Sequence, residues 1–264
     1  MIQLSSLIYY PIKACRGFSV DTARIERMGL EHDRRMMVVT PGGKFLTQRE
    51  FPKLALVTPT LKDGKLTLSA PAMDTLSIAI AKTGQTIPVE IWKSKDVQAI
   101  DQGKAAADWF SDWLGVSVRL AHIADGCQRK VSSVYAVTEN DQTGFADGYP
   151  ILLASEESLA DLNARLETQI PMNRFRPNVV VKGCEPFDED QWKRIRIGDA
   201  ELAIVKPCAR CVVTTIDKET LEKSKEPLKT LAAYRKQARG VMFGQNAIPL
   251  NEGRLEIGMN VKIL

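Results

Sequence analysis

Two cysteines three residues apart are the most suggestive reactive pair in the chain: Cys208 and Cys211, in the segment Lys-Pro-Cys-Ala-Arg-Cys. Zinc would need two further ligands close by, and the remaining cysteines and histidines are scattered along the chain. A redox dithiol normally lies at the start of a helix, whereas the β-branched residues after Cys211 predict a strand. Two interpretations stay open: a single thiolate that binds a soft metal beside Lys206 and Arg210, and a pair of reduced cysteines buried at a strand end.

Basic side chains next to predicted turns are the second group that could do chemistry. Several of them together would hold a phosphate or another polyanionic ligand, because each charge-assisted hydrogen bond contributes about 1.5–3 kcal/mol. Taken singly, each has the character of an ordinary solvated or ion-paired surface residue, and spacing does not show whether they converge. The group consists of Lys13, Arg16, Arg34, Arg35, Arg49, Arg174 and Arg176.

Composition excludes several classes of protein. The 264 residues carry 36 Lys and Arg against 32 Asp and Glu, a net charge of +4, and 6% of the residues are aromatic. A dedicated nucleic-acid binder would be more basic, and no apolar run approaches the ~20 residues of a membrane-spanning helix. His32 and His122 are the only histidines, so a histidine-rich metal site is excluded. The N-terminus has no signal-peptide pattern, so we expect reduced cysteines and a cytoplasmic protein.

The elements that must position these residues are mainly strands. Helices are predicted at residues 104–114, 156–167 and 227–237, with Ser155 as the N-cap of the second. Asp63-Gly64 predicts a hairpin, whereas residues 147–150 and 243–246 have the composition of turns. The pattern predicts a β-rich α+β fold with a boundary between two closely packed domains near residues 100–130. Alternating and β-branched runs predict strands at residues 2–10, 18–25, 35–39, 54–61, 66–68, 76–80, 87–92, 118–123, 151–153, 178–181, 195–197, 202–205, 212–216 and 255–264.

Seven short segments, taken in order, carry a resemblance to a known family. They resemble the MOSC molybdenum-cofactor proteins, above all the bacterial YcbX-type proteins, with the mitochondrial amidoxime-reducing components as more distant relatives. The resemblance implies an N-terminal MOSC-associated β-barrel domain, residues 1–122, packed on a MOSC β-barrel domain with a few helices, residues 123–264. The segments are Y-P-I-K (10–13), M-G-L-E-H-D-R (28–34), F-A-D-G-Y-P (145–150), F-R-P-N (175–178), K-P-C-A-R-C (206–211), E-P-L-K-T-L (226–231) and F-G-Q-N (243–246).

The resemblance also implies a molybdopterin-type molybdenum cofactor and the residues that bind it. Cys211 matches the metal ligand and the catalytic cysteine, and Asn178 matches an asparagine near the metal with a catalytic role. A thiolate is a soft donor, and one is enough when a dithiolene supplies the other sulfurs. Ala14 and Ala209 have no side-chain donor, so only their backbone could contact the cofactor. The implied cofactor-binding residues are Lys13, Ala14, Arg34, Gly148, Tyr149, Arg176, Ala209, Arg210 and Asn246.

By the same resemblance, the protein is a molybdenum-dependent enzyme that reduces N-hydroxylated compounds to amines or amidines. The implied substrates are hydroxylaminopurine-type bases, hydroxylamines and amidoximes, with neither nucleic acid nor membrane as a partner. YcbX-type proteins commonly continue into a ferredoxin domain with a C-x4-C-x2-C run, which is not found here. We therefore expect electrons from a separate flavin reductase or ferredoxin-like protein. Two alternatives stay open: a sulfur carrier that uses a Cys211 persulfide, and a molybdopterin-binding module without turnover.

Overall fold

The computed structural model describes residues 1–264. Three α-helices, α1 (Lys104–Leu114), α2 (Glu156–Asn163) and α3 (Leu228–Tyr234), accompany nineteen strands. This composition confirms the predicted β-rich α+β class. The strands are β1 (Gln3–Tyr9), β2 (Phe18–Val20), β3 (Thr22–Glu26), β4 (Gly29–Leu30), β5 (Met36–Val39), β6 (Thr58–Lys62), β7 (Lys65–Ser69), β8 (Leu76–Ala79), β9 (Thr86–Ile91), β10 (Ser94–Asp101), β11 (Arg119–Ile123), β12 (Ile151–Ser155), β13 (Val179–Lys182), β14 (Arg194–Ile197), β15 (Ala200–Arg210), β16 (Lys236–Gln237), β17 (Gly240–Pro249), β18 (Gly253–Glu256) and β19 (Val261–Ile263).

The strands form one large sheet and three smaller ones. The large sheet has the order β19-β14-β15-β17-β12-β13-β1-β2, and β16 pairs with β17. Within it, β12 and β13 run parallel, and the other pairs are antiparallel. The smaller sheets have the orders β5-β11-β10-β9, β18-β3-β4 and β6-β7-β8. Separate apolar clusters lie against the large sheet, beneath α1, and inside the sheet that contains β9 and β10.

Two of these sheets join the beginning of the chain to its second half. Strand β1 pairs with β13, and β3 pairs with β18. Leu4 and Leu7 of β1 are fully buried in the same cluster as Val179 and Val181 of β13. The division into residues 1–122 and 123–264 stays a prediction, but the first thirty residues hydrogen-bond across it.

The helices begin where the sequence predicts, and two of them end earlier. Helix α1 matches residues 104–114 and ends at Gly115, whose φ of 72° is the left-handed cap expected there. At the start of α2, the Ser155 hydroxyl accepts a hydrogen bond from the Ser158 N–H, which confirms the N-cap. Helix α2 ends at Asn163 rather than at residue 167, and α3 is shorter than predicted. None of these helices has the length and apolarity needed to cross a bilayer.

The Asp63-Gly64 hairpin is also confirmed, because both residues have positive φ, 51° and 72°, between the paired ends of β6 and β7. Several strand predictions are wrong in extent. Residues 54–61 begin inside a 3-10 helix, Pro52–Leu56, and only their second half belongs to β6. Residues 255–264 divide between β18 and β19. The sequence patterns do not predict β4, β10, β16 or β17.

Two predictions beside the reactive cysteine are wrong. Residues 212–216, predicted as a strand, contain the 3-10 helix Val212–Thr215. The hydroxyls of Thr214 and Thr215 hydrogen-bond to the carbonyls of Cys211 and Val212, and this local bonding overrides the preference of β-branched residues for strands. Residues 243–246, predicted as a turn, lie inside β17, where Gly244 permits a close approach to a neighbouring strand.

Candidate functional site

A cleft with about 990 Å³ of empty space, including its open mouth, lies between the two halves of the chain. Its walls come from both halves, so neither half forms it alone. The structure brings together every site residue that the family resemblance implied. All of them line this one cleft: Lys13, Ala14, Arg34, Gly148, Tyr149, Arg176, Asn178, Ala209, Arg210, Cys211 and Asn246. Of the other basic residues singled out in the sequence, Arg49 and Arg174 line the cleft, whereas Arg16 and Arg35 do not and pair with Glu219 and Glu26.

The cleft is lined by residues in or next to five neighbouring strands of the large sheet. These strands are β1, β13, β12, β17 and β15. Their registers place the end of β1 and the starts of β13 and β12 on the same side, whereas β15 runs parallel to β12 and its end pairs with the start of β17. Arg34 reaches the cleft from the turn between β4 and β5. The other predicted residues lie in or beside these strands: Lys13 and Ala14 after β1, Arg176 and Asn178 before β13, Gly148 and Tyr149 before β12, Asn246 within β17, and Ala209, Arg210 and Cys211 at the end of β15.

Three of the eleven predicted site residues have a backbone conformation that is rare for residues with side chains. Ala14, Arg34 and Arg176 have φ values of 68°, 46° and 57°. Such left-handed residues cost of order 1–3 kcal/mol each and persist only where the surrounding structure holds them. Because the three residues surround one cleft, the structure that holds their backbone also fixes the direction in which the Arg34 and Arg176 side chains enter it.

Tyr10 fixes two of the arginines by stacking. The Arg34 and Arg176 guanidinium carbons lie 4.2 Å and 4.1 Å from the centre of its buried ring. The Tyr10 hydroxyl donates to the Pro177 carbonyl at 3.2 Å. Burial lowers the pKa of Arg176 to about 10, which leaves it cationic at neutral pH. The positive charges of Arg34 and Arg176 are therefore both held against the Tyr10 ring, within the cleft.

Asn178 lies at the centre of a hydrogen-bond network. Its Oδ1 accepts from Arg34 Nη1 at 2.9 Å and from the Leu152 N–H at 3.1 Å, and its Nδ2 donates to the Ile8 carbonyl at 3.1 Å. The same Arg34 Nη1 donates to Asp33 Oδ2 at 2.7 Å. These bonds give Asn178 a positioning role toward Arg34, and its catalytic role stays a prediction.

The residues around Cys211 are held by arginines. Arg210 Nη1 donates to Cys208 Sγ at 2.9 Å and Nη2 to the Phe175 carbonyl at 2.6 Å, whereas its buried Nε has no partner. Arg174 Nε donates to the Thr214 carbonyl at 2.9 Å, in the short helix that follows Cys211. The thiol of Cys211 therefore lines the cleft from a turn that is fixed on both sides.

A lysine and a carboxylate form the opposite wall. Lys13 Nζ pairs with Asp147 Oδ1 and donates to the Phe145 carbonyl at 3.0 Å. Trp92 Nε1 donates to the same Asp147 oxygen at 2.9 Å. Desolvation by the surrounding cleft wall would raise the pKa of Asp147, but the Lys13 ammonium and these hydrogen bonds outweigh it and hold the pKa well below its ordinary range. The carboxylate is thus ionised, and its side chain, 74% exposed, faces the open space.

Hydrogen bonds from Arg129 hold the loop that carries Asp147. This buried guanidinium donates to the carbonyls of Gly144, Ala146 and Asp147. Arg129 Nε also donates to the Ser94 hydroxyl of β10 at 3.1 Å, which anchors the guanidinium, so the loop before β12 is firmly held. The position of the carboxylate is consequently set by the first half of the chain and by these hydrogen bonds together.

Several residues of the cleft and its surroundings were missing from the sequence prediction. Buried Lys218 donates to Gln48 Oε1 at 2.8 Å and to the Val213 carbonyl at 2.9 Å, and Gln48 in turn donates to the Ala14 carbonyl. Burial and nearby arginines lower the pKa of Lys218 to about 7. No sequence signal separates this lysine from 35 other basic residues. Tyr10 and Asp147, by contrast, lie inside segments that were already singled out.

The donor set limits which metal site is feasible. No group of three or more His, Cys, Asp or Glu side chains is arranged to hold a metal ion. The cleft offers thiols, Cys208 and Cys211, and a surplus of cations over the single carboxylate of Asp147. Such a site fits a ligand that is anionic and that brings most of a metal's donor atoms with it. The unpartnered Arg210 Nε is consistent with a further acceptor from such a ligand.

The fold and the cleft define a class: a β-rich protein in which two units enclose a cationic, thiol-bearing cleft. Residues 1–117 match the family model "MOSC N-terminal beta barrel domain" and residues 140–262 match "MOSC domain". The chain belongs to the MOSC family that includes the mitochondrial amidoxime-reducing components, as the resemblance implied.

Curated relatives support this membership over most of the chain. The chain is 36% identical to mitochondrial amidoxime-reducing component 1 of Mus musculus, over 99% of this chain and 82% of the relative. It is 37% identical to component 2 of Bos taurus, over 88% of this chain and 72% of the relative. Among solved structures, the YUAD protein of Bacillus subtilis aligns at 11% identity over 99% of this chain and 94% of its own, with a TM-score of 0.43, too weak a likeness to inform the site.

Proposed function

We propose that this protein is a molybdenum-dependent reductase of N-hydroxylated compounds, and that the cleft holds a molybdopterin-type cofactor. The observation that carries the proposal is the convergence of all eleven predicted residues in one cleft, with a thiol beside a group of fixed cations. The relatives' names, amidoxime-reducing components, support the reaction class.

The cationic residues would bind the anionic part of the cofactor. Arg34 and Arg176 are fixed on Tyr10, so little conformational entropy remains to be lost when a phosphate binds. Arg210 adds an unpartnered Nε near the thiols. Cys211 would supply the protein's sulfur ligand to molybdenum, and the cofactor's dithiolene the others. When bound, the cofactor supplies the two-electron chemistry that removes oxygen from nitrogen.

The ionised carboxylate of Asp147 would orient the substrate. Amidoximes and hydroxylamines carry N–H and O–H donors, and an ionised carboxylate offers only acceptors. With its pKa held far below neutrality by Lys13 and by the Trp92 hydrogen bond, Asp147 accepts hydrogen bonds throughout the physiological range. Lys13 balances its charge, so the pair is neutral before substrate enters.

Electrons would come from a separate protein, a flavin reductase or a ferredoxin-like donor. The relatives are named as components, which is consistent with a system of several proteins. The proposed substrates are small N-hydroxylated molecules, and nucleic acid is not proposed as a partner.

The test combines metal analysis with reduction assays. The protein is produced in a host that makes the cofactor, as wild type, Cys211→Ala and the control Cys184→Ala, whose thiol lies outside the cleft. We expect about one molybdenum per chain and reduction of an amidoxime with an artificial electron donor in wild type and control. Both should be lost in Cys211→Ala.

Three results would contradict the proposal. Full reductase activity in Cys211→Ala would show that Cys211 is not the molybdenum ligand. A wild-type protein without molybdenum, in a host whose other molybdoenzymes are loaded, would shift the function to a Cys211 persulfide carrier. Molybdenum without turnover of any N-hydroxylated compound would indicate a binding module.

A further inference from the structure

Trp92 is an exposed aromatic side chain on the wall of the cleft, at the turn between β9 and β10. It is 42% exposed, so burial of apolar surface does not account for its position. Its φ is 52°, a conformation that is an outlier for a bulky residue. Trp92 is the first residue of a two-residue hairpin turn between Ile91 and Ser94, and such a turn requires this φ, so the turn sets where the side chain leaves the backbone.

The orientation of the Trp92 ring is set by three contacts. Its indole N–H donates to Asp147 Oδ1 at 2.9 Å, and Phe45 meets it edge to face with ring centres 4.8 Å apart. The Arg49 guanidinium lies over the ring, 5.2 Å from its centre. The Arg49 side chain has no hydrogen bond or ion pair to another residue, and it also lines the cleft. A fixed aromatic surface and a cation without an ion-pair partner therefore face the same space.

We propose that Trp92 determines substrate specificity, by stacking against planar, conjugated N-hydroxylated compounds such as aryl amidoximes and hydroxylamino bases. The Asp147 carboxylate, anchored to the same indole, accepts from the N–H groups at the edge of the stacked molecule. Arg49 adds a cation over conjugated π-systems. This inference rests on the proposed function, and it separates planar substrates from hydroxylamine, which has no ring to stack.

The test compares two substrates of the molybdenum-loaded enzyme, benzamidoxime and hydroxylamine, with an artificial electron donor. Its readout is the ratio of their kcat/KM values. In Trp92→Ala this ratio falls about 5- to 100-fold, mainly through the KM for benzamidoxime, because stacking on one aromatic side chain accounts for that much affinity. In Trp92→Phe the ratio stays within about twofold of wild type, because a ring remains, although the lost N–H lowers both activities.

A matched control is Trp113→Ala. Trp113 also donates its indole N–H, to the Lys53 carbonyl at 3.1 Å, and has the Lys53 ammonium 5.2 Å from its ring centre, but it does not line the cleft. It should leave the substrate ratio unchanged. Benzamidine, the product, gives a second readout without turnover: calorimetric affinity should fall in Trp92→Ala and persist in Trp92→Phe.

The outcomes are distinguishable from those of the proposed function. If wild-type enzyme reduces neither substrate, the reductase proposal fails. If it reduces both, and Trp92→Ala folds normally and keeps the wild-type ratio and the wild-type affinity for benzamidine, stacking on Trp92 is overturned while the reductase proposal stands.

Discussion

The basic side chains of the cleft are arranged before any ligand arrives. Tyr10 lies between two guanidinium groups, Asp33 and Asn178 hold Arg34, and the Cys15 carbonyl accepts from Arg176 Nη1 at 2.7 Å. Keeping like charges close together costs free energy, and the hydrogen bonds around them offset that cost. An anion that enters this cleft meets donors whose positions are already set.

Lys218 gives a prediction for the pH dependence of stability. Its pKa is lowered from an ordinary 10.5 to about 7 by burial. Between these two pH values the unfolded chain binds a proton that the folded chain does not, so its contribution to the free energy of unfolding rises with pH. Relative to Lys218→Met, which does not titrate, wild type should gain stability from pH 7 to 10, by roughly 4 kcal/mol at most.

The measurement is urea unfolding of both proteins at pH 6, 8 and 10 and constant ionic strength. All other titrating groups cancel in the difference, so its slope with pH belongs to this side chain. Lys225→Met, at an exposed position, is the control and should differ from wild type by a constant amount. A difference between wild type and Lys218→Met that does not change with pH would show that Lys218 is charged in the folded protein throughout this range.

Which single residues could be predicted depended on whether a motif contained them. Ten of the eleven, Cys211 and Arg34 among them, fell on segments that resemble a family, Ala14 directly follows one, and the structure gathered all eleven in one cleft. Lys218 and Trp92 belong to no such segment. Their environments depend on Gln48 and Asp147, which are 170 and 55 residues away along the chain, and sequence patterns do not report such distant contacts.

At the scale of elements, local patterns predicted most strands and failed where tertiary contacts decide. The helix at 104–114 follows from its apolar stripe, and the Asp63-Gly64 hairpin from its turn chemistry. Strand β17 was not predicted, because a glycine inside a strand resembles a turn when read alone. The chain after Cys211 was misassigned because threonine hydroxyls bind nearby carbonyls there.

Gly244 provides a prediction at this scale. Its φ is 74°, and a Cβ at this position would lie 2.7 Å from the Leu153 carbonyl oxygen of the neighbouring β12. Gly64, with φ of 72°, has nothing within 4 Å of such a Cβ. Gly64→Ala should therefore cost about 1–2 kcal/mol from the left-handed conformation alone, and Gly244→Ala should cost more, about 3 kcal/mol or above.

Chemical unfolding of the two variants at one pH checks this comparison, because the shared backbone term cancels. The excess for Gly244→Ala isolates the close approach of β17 to β12, the strand pair that carries Asn246. Equal losses in the two variants would mean that β17 shifts to accept a methyl group, and that the strand is less tightly fixed beneath the cleft than its contacts indicate.

For the whole molecule, the two halves are joined by sheets as well as by the cleft. The large sheet takes β1 and β2 from the beginning of the chain, and β3 pairs with β18 near its end. The sequence predicts two closely packed domains from the absence of a linker, and that division stays a prediction. The sequence could not predict this exchange, because which strands pair across more than a hundred residues is decided by their fit within one sheet.

This exchange predicts how fragments behave. A fragment of residues 123–264 retains β13 but lacks β1, so the backbone edge of β13 and the buried Val179 and Val181 lose their cover. Exposed apolar edges of this kind associate with other chains. We expect the fragment alone to aggregate or to unfold without a cooperative transition. Joint production with residues 1–122 should yield a soluble complex, since the cut falls between β11 and β12. Circular dichroism during thermal unfolding and size-exclusion chromatography measure both. A fragment of residues 123–264 that is monomeric and unfolds cooperatively would show that β1 is dispensable, and that the division at residue 122 separates two independent folding units.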